Sequence, residues 1–260
     1  MTEPPLEADL RAALAAVARV PRLLVASDVD GTLAPIVEDP AAAVAGPAAL
    51  SALAALATLP DTSVALVSGR RLVDLREMTR LGTAVVLVGS HGAEHGEDLE
   101  LTPGTALVLE QVLRDVRWIT HGITGVQLEN KPGGVAVHVR RATHVDAHRV
   151  VADIVEGPAT RPGVHTTHGK AVVELSVVDA DKGRALDRLR TESSADAVVF
   201  LGDDTTDEAA FERLGPGDVG VKIGDGESLA RFRVDSTADA TAVLELLLAE
   251  RRAARAETSP

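Results

Sequence analysis

The chain has 260 residues, 45% of them apolar and 2% aromatic, with a formal net charge of −13. That length accommodates one large core, or a core domain with a smaller inserted one. The lack of cysteine excludes disulfides and thiolate metal sites, the acidic balance disfavours nucleic acid as a partner, and no apolar stretch reaches the roughly 18 residues a membrane span needs. The first twenty residues carry acids early and lack a basic start followed by an apolar run, so they do not read as a signal peptide. A cytoplasmic protein is expected, with no nucleic-acid partner and no membrane partner.

In chain order, residues 4–20 read as an amphipathic helix and residues 23–27 as a short buried strand. Pro47 opens a helix to about Thr58. Strands follow at about 63–67 and 84–88 with a helix over 71–79 between them, and this strand–helix–strand pattern predicts a parallel sheet. The pattern then changes to a helix over 104–120, strands at about 125–130 and 134–140 joined by a Lys131-Pro132-Gly133 turn, a helix over 143–156, and strands at 164–167 and 170–177. An αββαββ order predicts an antiparallel sheet with helices on one side. Trp118 reads as packing on its helix. From about 183 the parallel pattern returns, with a helix over 183–190, strands at 197–201 and 218–223, a helix over 239–251, and a loose tail from Arg252 to Pro260. The expected fold class is α/β: a doubly wound parallel sheet built from residues 1–95 and 178–260, with an inserted α/β cap domain, residues 96–177, carrying an antiparallel sheet.

Two acidic segments stand directly after apolar strands, where open α/β sheets bind ligands. The first is Asp28-Val29-Asp30-Gly31-Thr32. Two carboxylates two residues apart point to opposite sides of an extended chain, and a turn at Gly31 can bring the second back toward the same centre. The second is Gly202-Asp203-Asp204-Thr205-Thr206-Asp207-Glu208, in which Asp203 and Asp207 have the spacing that shares one face of a helix start. Helix capping accounts for one or two of these acids, but not for two acidic strand ends in one domain. A hard divalent cation resolves their mutual repulsion, and carboxylate oxygens suit magnesium. Ser68-Gly69-Arg70 enters a helix after another apolar strand, where a hydroxyl and backbone amides can cradle phosphate. Lys182, at the start of a further helix, can neutralise a phosphate oxygen.

Strand alternation sorts the middle segment into two faces. Val126, Leu128, Val135, Val137, Val139, Ala171, Val173 and Leu175 share one; Glu129, Ala136, His138, Arg140, Lys170, Val172 and Glu174 share the other. The apolar face suits packing on the two helices, and the polar face suits a lid over the catalytic loops. Glu129, Lys131, Arg140, Lys170 and Glu174 supply several hydrogen-bond donors and acceptors for a polar ligand.

The DxD segment, a serine after the next strand, a lysine and a GDxxxD acid pair, in that order, resemble the four motifs of the haloacid dehalogenase superfamily of phosphatases. Asp28–Ile36, Ser68–Arg70, Gly89-Ser90-His91-Gly92, Glu129-Asn130-Lys131, His138-Val139-Arg140, Gly169-Lys170 with Glu174, and Gly202–Glu208 are similar, more narrowly, to the trehalose-6-phosphate phosphatases. The resemblance covers roughly residues 23 to 235. Val29 and Val139 stand where many members carry tyrosine, and Ser176-Val177 where an Arg-Pro pair is common.

Separately from the resemblance, a monomer is expected. The resemblance implies a haloacid dehalogenase-like core and a Mg2+-dependent phosphatase acting on a small-molecule sugar phosphate, trehalose 6-phosphate. It implies Asp28 as nucleophile, Asp30 as acid and then base, and Ser68 and Lys182 as groups holding the phosphate. Mg2+ would be bound by Asp28, Asp30 through its carbonyl, and Asp203, with Asp207 orienting metal-bound water. Gly31, Thr32, Gly69 and Arg70 join Glu129, Lys131, Arg140, Lys170 and Glu174 as substrate-binding residues. The same catalytic set would serve a phosphatase of sucrose 6-phosphate or mannosyl-3-phosphoglycerate, which a substrate panel separates. A non-catalytic sugar-phosphate sensor is the alternative from another class, and it has no need of a nucleophile.

Overall fold

Apolar residues on both faces of a strand demand cover on both sides. Strand β1 (Leu23–Ser27) is buried at every position, and the chain supplies that cover in a doubly wound layer structure. The computed structural model describes residues 6–37, 42–95, 99–169 and 171–258. It divides into two units, Met1–Gly92 with Asp181–Pro260, and Ala93–Ala180.

The first unit is built from α1 (Ala8–Val17), β1, α2 (Pro47–Leu56), β2 (Thr62–Val67), α3 (Leu72–Thr79) and β3 (Val85–Gly89) before the second unit. After it come α6 (Lys182–Ser193), β9 (Ala197–Gly202), α7 (Thr205–Phe211), β10 (Val219–Ile223), β11 (Phe232–Val234) and α8 (Thr237–Thr258). The sheet order within this unit is β11-β10-β9-β1-β2-β3, and the two-residue β4 (Glu94–His95) opens the second unit. The pairs β1–β2, β1–β9, β2–β3, β9–β10 and β10–β11 are all parallel. Alternate residues feed two cores. Val25, Val199 and Leu201 pack with α1, α2 and α8, while Leu24, Ala26, Val198 and Phe200 pack with α6 and α7. Phe200 meets Phe211 edge to face at 5.4 Å, a geometry that favours an aromatic pair beyond its buried area.

The strand order reverses direction at β1: β2 and β3 lie to one side, β9 to β11 to the other. Loops leaving β1 and β9 therefore emerge side by side and diverge, the topological switch point at which such sheets bind ligands.

The C-terminal residues depart from expectation. Arg252–Thr258 are not a loose tail but the last turns of α8. Arg251 is wholly buried and donates to the carbonyls of Ala18 (2.9 Å), Val20 (2.5 Å), Pro21 (3.1 Å) and Asp61 (2.8 Å) and to the Thr62 hydroxyl (3.0 Å). Ala254 is buried as well. These tertiary partners extend the helix past the point where sequence composition suggests an end. α1 is shorter than the expected 4–20, and α6 runs three residues beyond the expected 190.

The second unit holds α4 (Pro103–Thr120), β5 (Gln127–Lys131), β6 (Gly134–His138), α5 (His144–Glu156), β7 (His165–Gly169) and β8 (Val172–Ser176). The four strands form an antiparallel sheet in the order β5-β6-β8-β7. Thr102 and Thr143 cap α4 and α5, each hydroxyl accepting an N–H three residues on. Val135, Val137, Val139, Val173 and Leu175 pack with Val112, Val116, Val150 and Ile154 of the two helices. The alternation puts Glu129, His138 and Glu174 on the opposite face. Trp118 does not pack on its helix as expected: it is 81% exposed.

Candidate active site

Asp28 is the first residue after β1 and is almost fully buried. Its N–H donates to Leu201 O at 2.9 Å, which ties it to the neighbouring strand β9. The chain then folds back tightly. The Val29 carbonyl accepts the N–H groups of Leu33 and Ala34, both at 2.8 Å, and Gly31 N–H donates to Ala34 O at 2.7 Å. Gly31 sits at φ 87°, and a Cβ there would stand 2.0 Å from Asp203 Oδ2. Only glycine admits both that backbone conformation and the close approach of the two acidic loops. Thr32 is buried, and its hydroxyl donates to Asp203 Oδ1 at 3.3 Å.

Asp203 follows β9. Together with Asp28 and Asp207 it forms a cluster in which one carboxylate oxygen from each residue lies within 4.8 Å of the others. Asp207, fully buried on the first turn of α7, accepts the N–H groups of Asp203 (3.0 Å) and Asp204 (2.9 Å) on Oδ2. Its Oδ1 accepts from Lys182 at 2.8 Å. Lys182, only 2% exposed, also stands 2.8 Å from Asp28 Oδ1. The neighbouring Gly183 explains how it gets there: a Cβ at 183 would stand 2.3 Å from Ala209 O, so glycine lets α6 press against α7.

Asp28 and Asp207 share the Lys182 ammonium, and Lys222 places a second positive charge near Asp203. Burial pushes the Asp28 carboxyl well above the usual carboxylate range; Lys182 opposes the shift, and Asp207 and Asp203 reinforce it. Asp203 is raised to about 6, by burial first and then by Asp207. Burial alone would lower the Lys182 ammonium, but Asp207 and Asp28 outweigh it and raise it. The cluster is therefore short of positive charge. Its donors are all carboxylate oxygens, which fits a hard divalent cation and not a soft one.

Ser68 follows β2 and is buried. Its hydroxyl accepts Arg70 N–H at 3.2 Å, and its carbonyl accepts His91 N–H at 2.9 Å. Gly69 lies against the His91 ring: a Cβ there would stand 2.6 Å from Cε1 and Nε2. Arg70 makes a two-pronged contact with Asp30, Nε to Oδ2 at 2.6 Å and Nη2 to Oδ1 at 2.7 Å.

On the polar face of the second unit's sheet, Glu129, Ala136, Glu174 and Thr167 stand in one cross-strand row. Lys131 pairs with Glu174, and both side chains are nearly buried. His138 Nε2 lies 3.0 Å from Glu129 Oε2. That hydrogen bond holds the Glu129 carboxyl below its usual range, against an opposing effect of burial and with help from Lys131. Arg140 lies beyond the end of β6 and is exposed. Lys170 lies outside the described residues.

Two participants went unrecognised in the sequence. Lys222, buried on β10, donates through Nζ to the Asp203 carbonyl. A lysine in the middle of the apolar strand Val219–Ile223 is a signal in itself, because a buried ammonium needs a partner. His138 is the other; its place on the polar face was legible, but not its contact with Glu129.

A family model described as trehalose-phosphatase matches residues 26–238. A trehalose-phosphate phosphatase of Mycobacterium marinum is 37% identical over 237 residues, covering 84% of this chain and 60% of its own length. The chain thus spans somewhat over half the length of the curated relative it matches. Among solved structures, the C-terminal domain of a C. albicans trehalose-6-phosphate phosphatase superposes with a TM-score of 0.79 at 23% identity, covering 95% of this chain and 99% of that one. A trehalose-6-phosphate phosphatase related protein gives a TM-score of 0.72 at 28% identity, covering 87% and 97%.

Proposed function

This chain belongs to the trehalose-phosphatase family, and we propose that it hydrolyses trehalose 6-phosphate to trehalose and inorganic phosphate through an aspartyl phosphate on Asp28. The observation that carries the reading is the placement of Asp28: buried at the end of the central strand, held by Lys182, and within a cluster of oxygens fit for a cation.

In the first step an Asp28 carboxylate oxygen forms a bond to phosphorus as the bond between phosphorus and the sugar oxygen breaks. Asp30 gives its proton to the departing sugar oxygen. In the second step water attacks the same phosphorus, Asp30 takes a proton from that water, and the Asp28 carboxylate leaves. Ser68 and Lys182 hold the phosphate oxygens as charge shifts among them. Mg2+, held by Asp28, Asp203 and the Asp30 carbonyl, would offset the repulsion between an anionic nucleophile and an anionic phosphate. Asp207 keeps Lys182 and the amides of residues 203 and 204 in position. Lys222 restrains the Asp203 loop. The inserted segment, residues 96–177, serves as the sugar-recognition domain, through Glu129, Lys131, Arg140, Lys170 and Glu174.

The test is phosphate release from trehalose 6-phosphate with and without Mg2+, beside glucose 6-phosphate and sucrose 6-phosphate, for the full chain and its Asp28→Asn variant. Mg2+-dependent release that strongly favours trehalose 6-phosphate, and is lost in the variant, is expected. Release from another sugar phosphate keeps the chemistry and discards the substrate. Full activity in Asp28→Asn removes the mechanism.

A further inference from the structure

The second unit carries a cleft on the side of its helices, away from the sheet face that bears Glu129 and Glu174. It lies where the C-terminal turns of α4 and α5 meet the short turn over Pro158–Thr160, and it has a volume of about 990 Å³. Trp118, Arg114, Asp115, Asp153, Glu156 and Arg161 line it. Trp118 is 81% exposed, so an indole that could have covered core lies open along the cleft.

The charges around the ring limit what can sit there. Arg161 is committed to Asp115 and, through Nη1 at 3.1 Å, to Gln111. Among the described residues, no cation pairs with Asp153 or Glu156, and no acid pairs with Arg114. An anionic guest would face Asp153, Glu156 and two helix C-termini, where the backbone dipoles are negative. A cationic guest would gain from the ring and the acids but would face Arg114 and Arg161. A neutral polyol meets neither obstacle. Its hydroxyls donate to the carboxylates and accept from the guanidinium, while an apolar sugar face can lie on the indole. The volume is that of a small-ligand site.

We propose that this cleft is a binding site for a neutral saccharide, with Trp118 as its stacking platform and Asp153, Glu156 and Arg114 as its polar contacts. The proposal does not rest on the phosphatase reading, and the site is distinct from the sugar-recognition face assigned above.

Trp118 is the sole tryptophan and the chain has no tyrosine, so its emission reports this cleft directly. The full chain is titrated with trehalose, and in parallel with maltose, while tryptophan emission is followed. A saturable change is expected for at least one of them. In the Asp153→Asn/Glu156→Gln variant the apparent dissociation constant should rise about tenfold or more. In the Glu129→Ala/Glu174→Ala variant the response should persist. Calorimetry on Trp118→Ala, an exposed position whose truncation leaves the core intact, should show that binding lost. A flat titration with both sugars overturns the proposal. So does a response that vanishes in the Glu129→Ala/Glu174→Ala variant, which would place the sugar on the other face. A response to spermine but to neither sugar, or emission that changes with protein concentration alone, would assign the cleft instead to a cationic guest or to a second copy of the chain.

Discussion

Arg70 grips Asp30 through two parallel hydrogen bonds, 2.6 and 2.7 Å long. A guanidinium fork on a carboxyl group fixes its position and orientation. The proposed acid and base of the reaction is thus held in place by a side chain from the loop after the neighbouring strand. Removing the fork should loosen the geometry of proton transfer without removing the nucleophile. Arg70→Ala is expected to lower kcat by about 10²-fold. Arg70→Lys should recover only part of that loss, because an ammonium cannot reproduce the fork. Steady-state phosphate release from both variants checks this; equal rates in Arg70→Lys and wild type would show that the fork is dispensable.

The acid cluster links metal binding to pH. The Asp203 carboxyl is raised to about 6 in the folded chain, above the roughly 3.9 of an unfolded aspartate. A raised carboxyl favours the folded state fully at low pH, where both states hold the proton. That contribution fades as pH climbs from about 4, while the unfolded chain ionises first, and it is gone above about 6. Mg2+ binds the ionised form, so its stabilising effect should grow over the same window. Thermal melts at about pH 5 and about pH 7.5, with Mg2+ or with a chelator, should show a larger gain in Tm at the higher pH. An equal gain at both would separate the cluster from metal binding.

Glu174 and Lys131 form a nearly buried pair on the polar sheet face. Glu174→Gln keeps the shape and a hydrogen bond but removes the charge. The expected effect is a rise of about tenfold in KM for trehalose 6-phosphate with kcat nearly unchanged, a loss of ground-state binding. Kinetics on trehalose 6-phosphate give the split directly, and an effect confined to kcat would contradict a sugar-recognition role.

Arg251 is a stability prediction with no catalytic component. Its guanidinium serves four backbone carbonyls and one hydroxyl from two separate segments of chain. Arg251→Met leaves those acceptors buried and unpaired, at an expected cost of about 3 kcal/mol or more. Urea unfolding should show a lower midpoint, with unchanged kinetic constants at low denaturant. An unshifted midpoint would mean that water replaces the guanidinium at no loss.

The sequence by itself determined the α/β class, the antiparallel sheet within the inserted segment, and the acid-rich loops that follow apolar strands. These are local properties: strand alternation is written in neighbours such as Val135, Val137 and Val139, and a DxDGT after Leu23–Ser27 needs only adjacent residues to be seen. Tertiary structure alone decided which side chains meet. Arg70 and Asp30 are 40 residues apart, Lys182 and Asp207 are 25 apart, and Lys222 reaches the Asp203 carbonyl from a different strand. No periodicity encodes such pairs, because they depend on strand order and on glycines such as Gly31 and Gly183 that let loops and helices close in. The helical C-terminus and the exposed Trp118 have the same origin. Helix ends and burial are set by what the rest of the chain places against them: four carbonyls meet Arg251, while open solvent meets Trp118.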